Sequence, residues 1–216
     1  MNLINKDEIE ILQKNNIKII IVSYQYNNLD NLVSKYQYDV FKKFNIELNQ
    51  FQGNLKHSEF MNNIINNYDC DFYIFFDIDC IPLKEGIIEY IVEKIGQNSM
   101  IGIEQQSNSP FILSHIYAGP ACFGISKQFY NDLGRPSFNG TDRSDVGEEL
   151  TYSCEEKNKK FHIFKKTFSE NNLWRLGLND YFGHGTIYDN DLLYHQFEIF
   201  KNQDKFINKC KEILNL

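Results

Sequence analysis

The chain has 216 residues, of which 42% are hydrophobic and 15% aromatic, and its formal net charge at neutral pH is −7. This composition excludes a disordered chain and provides enough apolar surface for one folded α/β domain. The acidic balance also argues against nucleic acid as the main partner, because phosphate backbones are bound by clusters of Lys and Arg.

The cysteine content and the hydropathy of the chain bear on its expected cellular location. The five cysteines are odd in number and lack paired Cys-x-x-Cys spacing, so neither a disulfide framework nor a structural zinc site is expected. The amino terminus contains no apolar signal core, and no apolar stretch approaches the roughly 20 residues that span a bilayer. We expect a cytoplasmic protein without a transmembrane segment, with peripheral membrane association as an open alternative.

The first half of the chain alternates between strand and helix patterns. An almost unbroken run of β-branched residues spans 17–22, as in a strand buried on both faces of a parallel sheet. Apolar residues recur at helical spacing over 31–44 and 57–67, and further strands are expected over 46–51 and 71–76. This β-α-β-α-β order predicts a doubly wound, mostly parallel sheet flanked by helices. In such a sheet, ligands bind beyond the carboxyl ends of the strands.

The second half is less regular. A helix is expected over 85–95, a short strand over 100–104, a segment of small residues able to approach a ligand over 118–125, and a helix over 127–133. No repeat or linker separates the two halves, so the chain is expected to form one domain over 1–216.

Two acids end the most apolar strand. Asp77 and Asp79 follow an apolar run that begins after Asp71, and because strand side chains alternate, both point to the same face. Adjacent carboxylates repel each other, and a hard divalent cation with oxygen ligands relieves that repulsion. The pair therefore predicts a Mg²⁺ or Mn²⁺ site that could in turn hold a phosphate. The alternative is a loop aspartate with a solvated neighbour.

This acid pair is one of five elements whose order along the chain is informative. They are a strand ending in Ser23-Tyr24, the pair Asp77-Ile78-Asp79, the segment Ala118-Gly119-Pro120, an acidic helix start over 145–149, and a histidine-containing tail. Over residues 17–197 this arrangement resembles a nucleotide-sugar glycosyltransferase of the GT-A fold. The resemblance implies metal-dependent transfer of a sugar from a UDP- or GDP-linked donor to a hydroxyl acceptor such as a glycan. It also implies a nucleotide-binding half over about 17–104 and an acceptor half over about 105–200.

The resemblance also assigns roles to residues. The implied donor-binding set is Ser23, Tyr24, Asp77, Ile78, Asp79 and Gly119. Within it, Asp79 would coordinate the Mn²⁺ or Mg²⁺ that bridges the donor diphosphate, and Asp77 would lie near the ribose and the metal. A histidine near the carboxyl terminus completes the metal site in several such enzymes. His195 is the better match, and His184, between two glycines, is the second; either could be an ordinary core or surface residue.

In inverting members of the family, a carboxylate at a helix start deprotonates the acceptor hydroxyl. If the helix begins at Asp145, Asp145 and Glu148 have the spacing of a capping box, whereas Glu149 borders the apolar stripe. We therefore expect Glu149 to be the base, partly buried with a raised pKa, and Asp145 to be the other catalytic candidate. Because the family pair is more commonly Glu-Asp, inversion and the assignment of the base stay open.

Two other functions compete with this interpretation. A haloacid-dehalogenase-like phosphatase or phosphotransferase also sets Asp-x-Asp after an apolar strand and would use Asp77 as a covalent nucleophile. That motif usually follows the first strand of its fold, whereas here it follows the third. The non-enzymatic alternative is a sugar-binding module that retained the fold without turnover.

Overall fold

A computed structural model describes residues 10–14, 17–108 and 115–216. The strands are β1 (Leu12–Lys14), β2 (Ile17–Tyr26), β3 (Asn49–Gly53), β4 (Phe72–Asp77), β5 (Cys80–Pro82), β6 (Met100–Gln106), β7 (Ile116–Ser126), β8 (His162–Phe164), β9 (Lys166–Ser169), β10 (Trp174–Leu176), β11 (Asp180–Phe182), β12 (Thr186–Tyr188) and β13 (Leu193–His195). The helices are α1 (Asn31–Lys43), α2 (His57–Asn67), α3 (Ile87–Ile95), α4 (Lys127–Asp132), α5 (Glu148–Glu156) and α6 (Ile199–Leu214).

A seven-stranded sheet organises the chain. Its order is β1-β2-β4-β7-β6-β8, and β3 also pairs with β2. Strands β2, β3 and β4 are mutually parallel, as are β6 and β8, whereas β7 runs antiparallel between β4 and β6. The predicted α/β fold with a mostly parallel central sheet is confirmed. The segment of small residues predicted near a ligand forms part of the long strand β7.

Helices cover both faces of this sheet, which explains why its central strands are apolar throughout. Successive side chains of β2 point to opposite faces. Ile19 and Ile21 pack in a core with residues of α1, α3 and α6. Ile20 and Val22 pack in a second core with residues of α2, α4 and α5.

A second, antiparallel sheet has the order β5-β13-β12-β9. Its first strand begins at Cys80, directly after the acid pair, and β13 pairs with it so that His195 lies opposite Cys80. Helix α6 follows β13 in the chain and packs against α1.

A bulge interrupts the pairing of β6 with β7. Gly102 pairs with Phe123, but the next residue of β6, Ile103, pairs with Gly119. The residues of β7 between these two partners, 120–122, therefore form the bulge. Bulges bend a strand and redirect its side chains, and this one lies beside the carboxyl end of β4.

We expect Gly102→Ala to destabilise the protein. A Cβ atom at this position would lie 2.6 Å from the carbonyl carbon of Ala118 and 2.7 Å from the carbonyl oxygen of Gly119, both backbone atoms. Overpacking of this kind costs about 1–3 kcal/mol of unfolding free energy, measurable by urea denaturation. Gly53→Ala is the control, since its new Cβ would meet only the Tyr24 side chain. Equal losses at both positions would contradict the argument.

Candidate functional site

The pairing of β13 with β5 brings a histidine to the two aspartates. Asp77 is the last residue of β4, and a two-residue turn carries Asp79 to the start of β5. The backbone N–H of Gln196 donates to the carbonyl oxygen of Asp79 at 3.0 Å. This hydrogen bond extends the pairing of the two strands and fixes the adjacent His195 against the acids.

The geometry of these three side chains is that of a metal site. Nε2 of His195 lies 3.2 Å from Oδ1 of Asp79 and 3.8 Å from Oδ2 of Asp77, and the three potential ligand atoms all lie within 4.8 Å of one another. The side chains of Asp79 and His195 are only 7% and 4% exposed. Carboxylate oxygens with an imidazole nitrogen suit Mn²⁺ or Mg²⁺, so the residues present fit the predicted cation.

The two ring nitrogens of His195 lie in different surroundings. Its Nδ1 is buried without a hydrogen-bond partner among the residues the structure describes. The polar contacts of the ring are therefore on its Nε2 side, which faces the carboxylates. The ring is held by Phe197, whose centroid lies 3.8 Å away.

A second histidine, His57, contacts Asp77, and no sequence motif marks it. Its Nε2 lies 3.0 Å from Oδ1 of Asp77. Burial lowers the pKa of His57, but the charges of Asp77 and Asp79 outweigh burial and raise it above its ordinary value. Burial raises the pKa of Asp77, yet the charge and hydrogen bond of His57 hold it below the usual range. The one available sequence signal was the position of His57 just beyond the second predicted strand, 46–51, at the start of a predicted helix.

A crevice of about 330 Å³ opens beside the acids. Its lining residues are Tyr24, Tyr26, His57, Asp77, Ile78, Asp79, Gln105, Pro120, Ala121, His195, Phe197, Glu198, Ile199 and Phe200. Pro120 and Ala121 come from the bulge in β7, and Tyr26 and Phe200 form an aromatic pair with centroids 6.1 Å apart. A larger cavity of about 500 Å³ lies between α3 and the end of α1, away from the acid pair, and we assign the site by its chemistry rather than by volume.

The predicted donor-binding residues occupy different environments. Tyr24 and Ile78 line the crevice. Tyr24 is also a packed aromatic, since its ring stacks on Phe60 at 4.6 Å and its hydroxyl accepts the backbone N–H of Leu55. Gly119 precedes the bulge and is not among the lining residues of the described chain.

Ser23 lies farther inside than the sequence indicated. The expectation that the first strand ends at Ser23-Tyr24 is wrong, because β2 continues to Tyr26. Ser23 is completely buried, and its hydroxyl donates to the side-chain oxygen of Gln37. The side-chain nitrogen of Gln37 in turn donates to the carbonyl oxygen of Asp77 at 2.7 Å. Ser23 therefore supports the turn between the acids from behind.

The acidic segment differs from expectation at its start. Helix α5 begins at Glu148, not Asp145, because Gly147 adopts a left-handed conformation with φ of 77° and interrupts the helix. Because the helix begins later, its side chains face other directions than the sequence pattern predicted. Glu148 becomes fully buried, accepting hydrogen bonds from the Ser107 hydroxyl and the Asp145 backbone N–H and contacting Nδ1 of His115.

Glu149 faces the other way. Nη2 of Arg143 lies 2.7 Å from its carboxylate, Nε of Arg143 also donates to it, and the hydroxyl of Thr141 donates to the same group. The hydrogen bond from Arg143 lowers the pKa of Glu149 to about 2. The expectation of a raised pKa at Glu149 is therefore wrong, because the sequence pattern did not reveal its partner.

Asp145, like Gly119, is not among the crevice-lining residues of the described chain. Its Oδ1 accepts the Val146 backbone N–H, and its Oδ2 accepts the side chains of Tyr117 and Asn108 at 3.3 and 3.2 Å. Tyr117 pairs across β6 and β7 with Gln105, which lines the crevice. Asp145 is therefore connected to the crevice through Tyr117 and its cross-strand partner Gln105.

His184 does not join the aspartates. Its Nε2 lies 3.0 Å from Oε2 of Glu198 and 3.2 Å from the side-chain nitrogen of Asn202, and its ring meets Trp174 edge-on. Of the two histidines predicted near the metal, the structure brings His195 to the acids. His184 contacts only Glu198 of the crevice wall.

Comparison with known proteins gives weak similarities. No protein-family model and no curated protein matches this chain. Among solved structures it is similar to the protein A197 from STIV, with a TM-score of 0.46 and 11% identity over 82% of this chain and 94% of that one. It is also similar to a mutant of Drosophila β-1,4-galactosyltransferase 7 in complex with manganese, UDP-Gal and xylobiose, with a TM-score of 0.45 and 9% identity over 84% of this chain and 73% of that one.

A third similarity is to the apo form of the glycosyltransferase GlyE from Streptococcus pneumoniae, with a TM-score of 0.43 and 10% identity over 66% of this chain and 44% of that one. At these values the similarities do not establish a family. Within the described ranges, no helix is long and apolar enough to cross a membrane.

We expect substitutions at the two neighbouring glutamates to differ sharply in stability. Glu148→Ala should lower the free energy of unfolding by about 3–5 kcal/mol, because it removes the buried carboxylate that three polar groups contact. Glu149→Ala should cost less, about 1–2 kcal/mol, since Arg143 is 47% exposed and water can replace part of the hydrogen bonds that are lost. Urea denaturation of both variants measures the difference, and equal losses would show that the burial of Glu148 is not energetically important.

Proposed function

We propose that this chain is a metal-dependent glycosyltransferase of the GT-A type that moves a sugar from a nucleoside-diphosphate sugar, UDP- or GDP-linked, to a hydroxyl acceptor such as a glycan. The convergence of Asp77, Asp79 and His195 at the wall of an open crevice is the observation that supports it. Oxygen-rich ligand sets of this kind bind cations that engage phosphates. The sequence resemblance supplies the sugar-transfer chemistry.

Each part of the crevice has a role in this proposal. Asp79 and His195, both buried, and one oxygen of Asp77 would hold Mn²⁺ or Mg²⁺. When bound, that cation supplies Lewis-acid stabilisation of the charge that develops on the departing diphosphate. Tyr26 and Phe200 offer apolar ring surface on which a planar base could stack.

We assign the general base to Asp145 rather than Glu149. A carboxylate whose pKa is held near 2 by a bidentate arginine is a weak proton acceptor, which describes Glu149. Asp145 is half-buried, and its hydrogen-bond donors within the described ranges are neutral. One of these donors, Tyr117, pairs across the sheet with Gln105 of the crevice wall. Deprotonation of an acceptor hydroxyl by Asp145 would give transfer with inversion.

The first experiment is a thermal-shift panel of UDP, GDP, CDP and dTDP with and without Mn²⁺. A ligand present at about 100 times its dissociation constant stabilises by roughly 2.7 kcal/mol, so the nucleotide that the crevice accepts will stand out. The radiolabelled sugar conjugate of that nucleotide then tests turnover. Slow metal-dependent hydrolysis to free sugar indicates a transferase, release of inorganic phosphate indicates a phosphatase, and neither product indicates a binding module.

We expect Asp79→Asn to weaken Mn²⁺-dependent binding of the selected nucleoside diphosphate by more than about 100-fold in calorimetry. The substitution keeps the shape of the side chain and removes one ligand charge, and even partners outside the first coordination shell usually contribute 10–100-fold. Asp204→Asn is the matched control, because it makes the same change on the exposed side of α6. Wild-type affinity in Asp79→Asn would disprove the metal assignment.

We expect Asp145→Asn to lower sugar transfer by about 10²-fold or more while leaving nucleotide binding intact, which is the usual contribution of a general base. Glu149→Gln should lower transfer by less than about 10-fold, since it disrupts a surface ion pair. Turnover of the labelled donor and calorimetry of the nucleotide are measured on both variants. A large loss confined to Glu149→Gln would reverse the assignment.

A further inference from the structure

His57 contacts one oxygen of Asp77 and leaves the other directed at the metal-ligand cluster. Its Nε2 lies 3.0 Å from Oδ1, whereas Oδ2 of the same carboxylate is the atom that lies 3.8 Å from Nε2 of His195. The two oxygens of Asp77 are therefore already distinguished by their neighbours.

The fold holds His57 firmly. It is the first residue of α2, and the carboxylate of Glu59 accepts the backbone N–H of the preceding residue, Lys56, at 3.1 Å. Strand β3 pairs with β2 and ends at Gly53, so only a short segment separates the sheet from the start of α2. The His57 side chain is only 23% exposed.

Asp77 needs such a restraint more than Asp79 does. Its side chain is 26% exposed, against 7% for Asp79, and it stands at the open end of β4. A free carboxylate at this position could rotate or chelate a cation through both oxygens. Mn²⁺ and Mg²⁺ prefer six ligands, and protein sites for them usually leave several positions to water and substrate phosphates.

We propose that His57 is a positioning residue that holds Asp77 so that only its Oδ2 serves as a ligand of the divalent cation. One coordination position that a bidentate Asp77 would occupy then stays available to a diphosphate oxygen. This inference rests on the proposed metal site. It assigns the orientation of Asp77 to His57, a side chain from a different segment of the chain.

A double-mutant cycle with Mn²⁺ alone as the probe tests this role. His57→Ala should weaken Mn²⁺ affinity in calorimetry by about 10–100-fold, the usual effect of removing a residue that orients a ligand. His57→Gln, whose side-chain N–H can donate to the same carboxylate, should restore most of the affinity. His162→Ala on β8 is the histidine control away from the crevice.

The cycle separates positioning from a general structural effect. In an Asp77→Asn background, His57→Ala should cause no further loss of Mn²⁺ affinity, because the oxygen that His57 orients no longer carries the ligand charge. Additive losses, or wild-type affinity in His57→Ala, would overturn the proposal. If His57→Ala does not fold, as judged by circular dichroism, His57→Phe, which keeps a ring but cannot donate a hydrogen bond to Asp77, replaces it in both backgrounds with the same expected losses.

Failure of the proposed function gives a different result. A wild-type protein that does not bind Mn²⁺ would overturn both the metal site and the role of His57. A wild-type protein that binds Mn²⁺ with an affinity independent of His57 would overturn only the positioning role. Electron paramagnetic resonance of bound Mn²⁺ adds a readout of its coordination, and the spectrum should change in His57→Ala and return towards wild type in His57→Gln.

Discussion

Two carboxylates of like charge at the end of one buried strand are the constraint on which the rest of the site depends. Ionised groups removed from water are costly unless opposite charge or hydrogen bonds compensate them. Here the compensation comes from two histidines, one from the start of α2 and one from the end of β13. The separate segments of the chain meet at this point because the acids require partners that their own strand cannot supply.

The antiparallel strand β7 shapes the opposite wall. A parallel sheet alone would present only loops at its carboxyl edge, whereas β7 enters this edge as a strand and bulges there. The bulge moves Pro120 and Ala121 into the crevice, and close packing around Gly102 keeps it in register. The small side chains of this wall leave room for a ligand beside the acids.

The acidic segment shows how a few residues of offset in a helix start change the chemistry of its side chains. With α5 beginning after Gly147, Glu148 turns into the protein and organises Ser107, His115 and the backbone of Asp145. Glu149 turns outward to Arg143. The buried glutamate thus holds the segment in place, and the half-buried Asp145 accepts hydrogen bonds from Tyr117, Asn108 and the Val146 backbone.

The sequence by itself determined the α/β fold, the mostly parallel sheet, most helices of the first half and the pairing of Asp77 with Asp79 at a strand end. These features follow from hydrophobic periodicity and strand alternation, which are local. It also favoured His195, through resemblance. Only the tertiary structure decided that His57 contacts Asp77 and that Arg143 neutralises Glu149. It likewise decided that Ser23 is buried behind the turn. The contact of His57 with Asp77 joins residues that are distant in sequence, and the left-handed conformation of Gly147 depends on the residues packed around it. No local pattern encodes that packing.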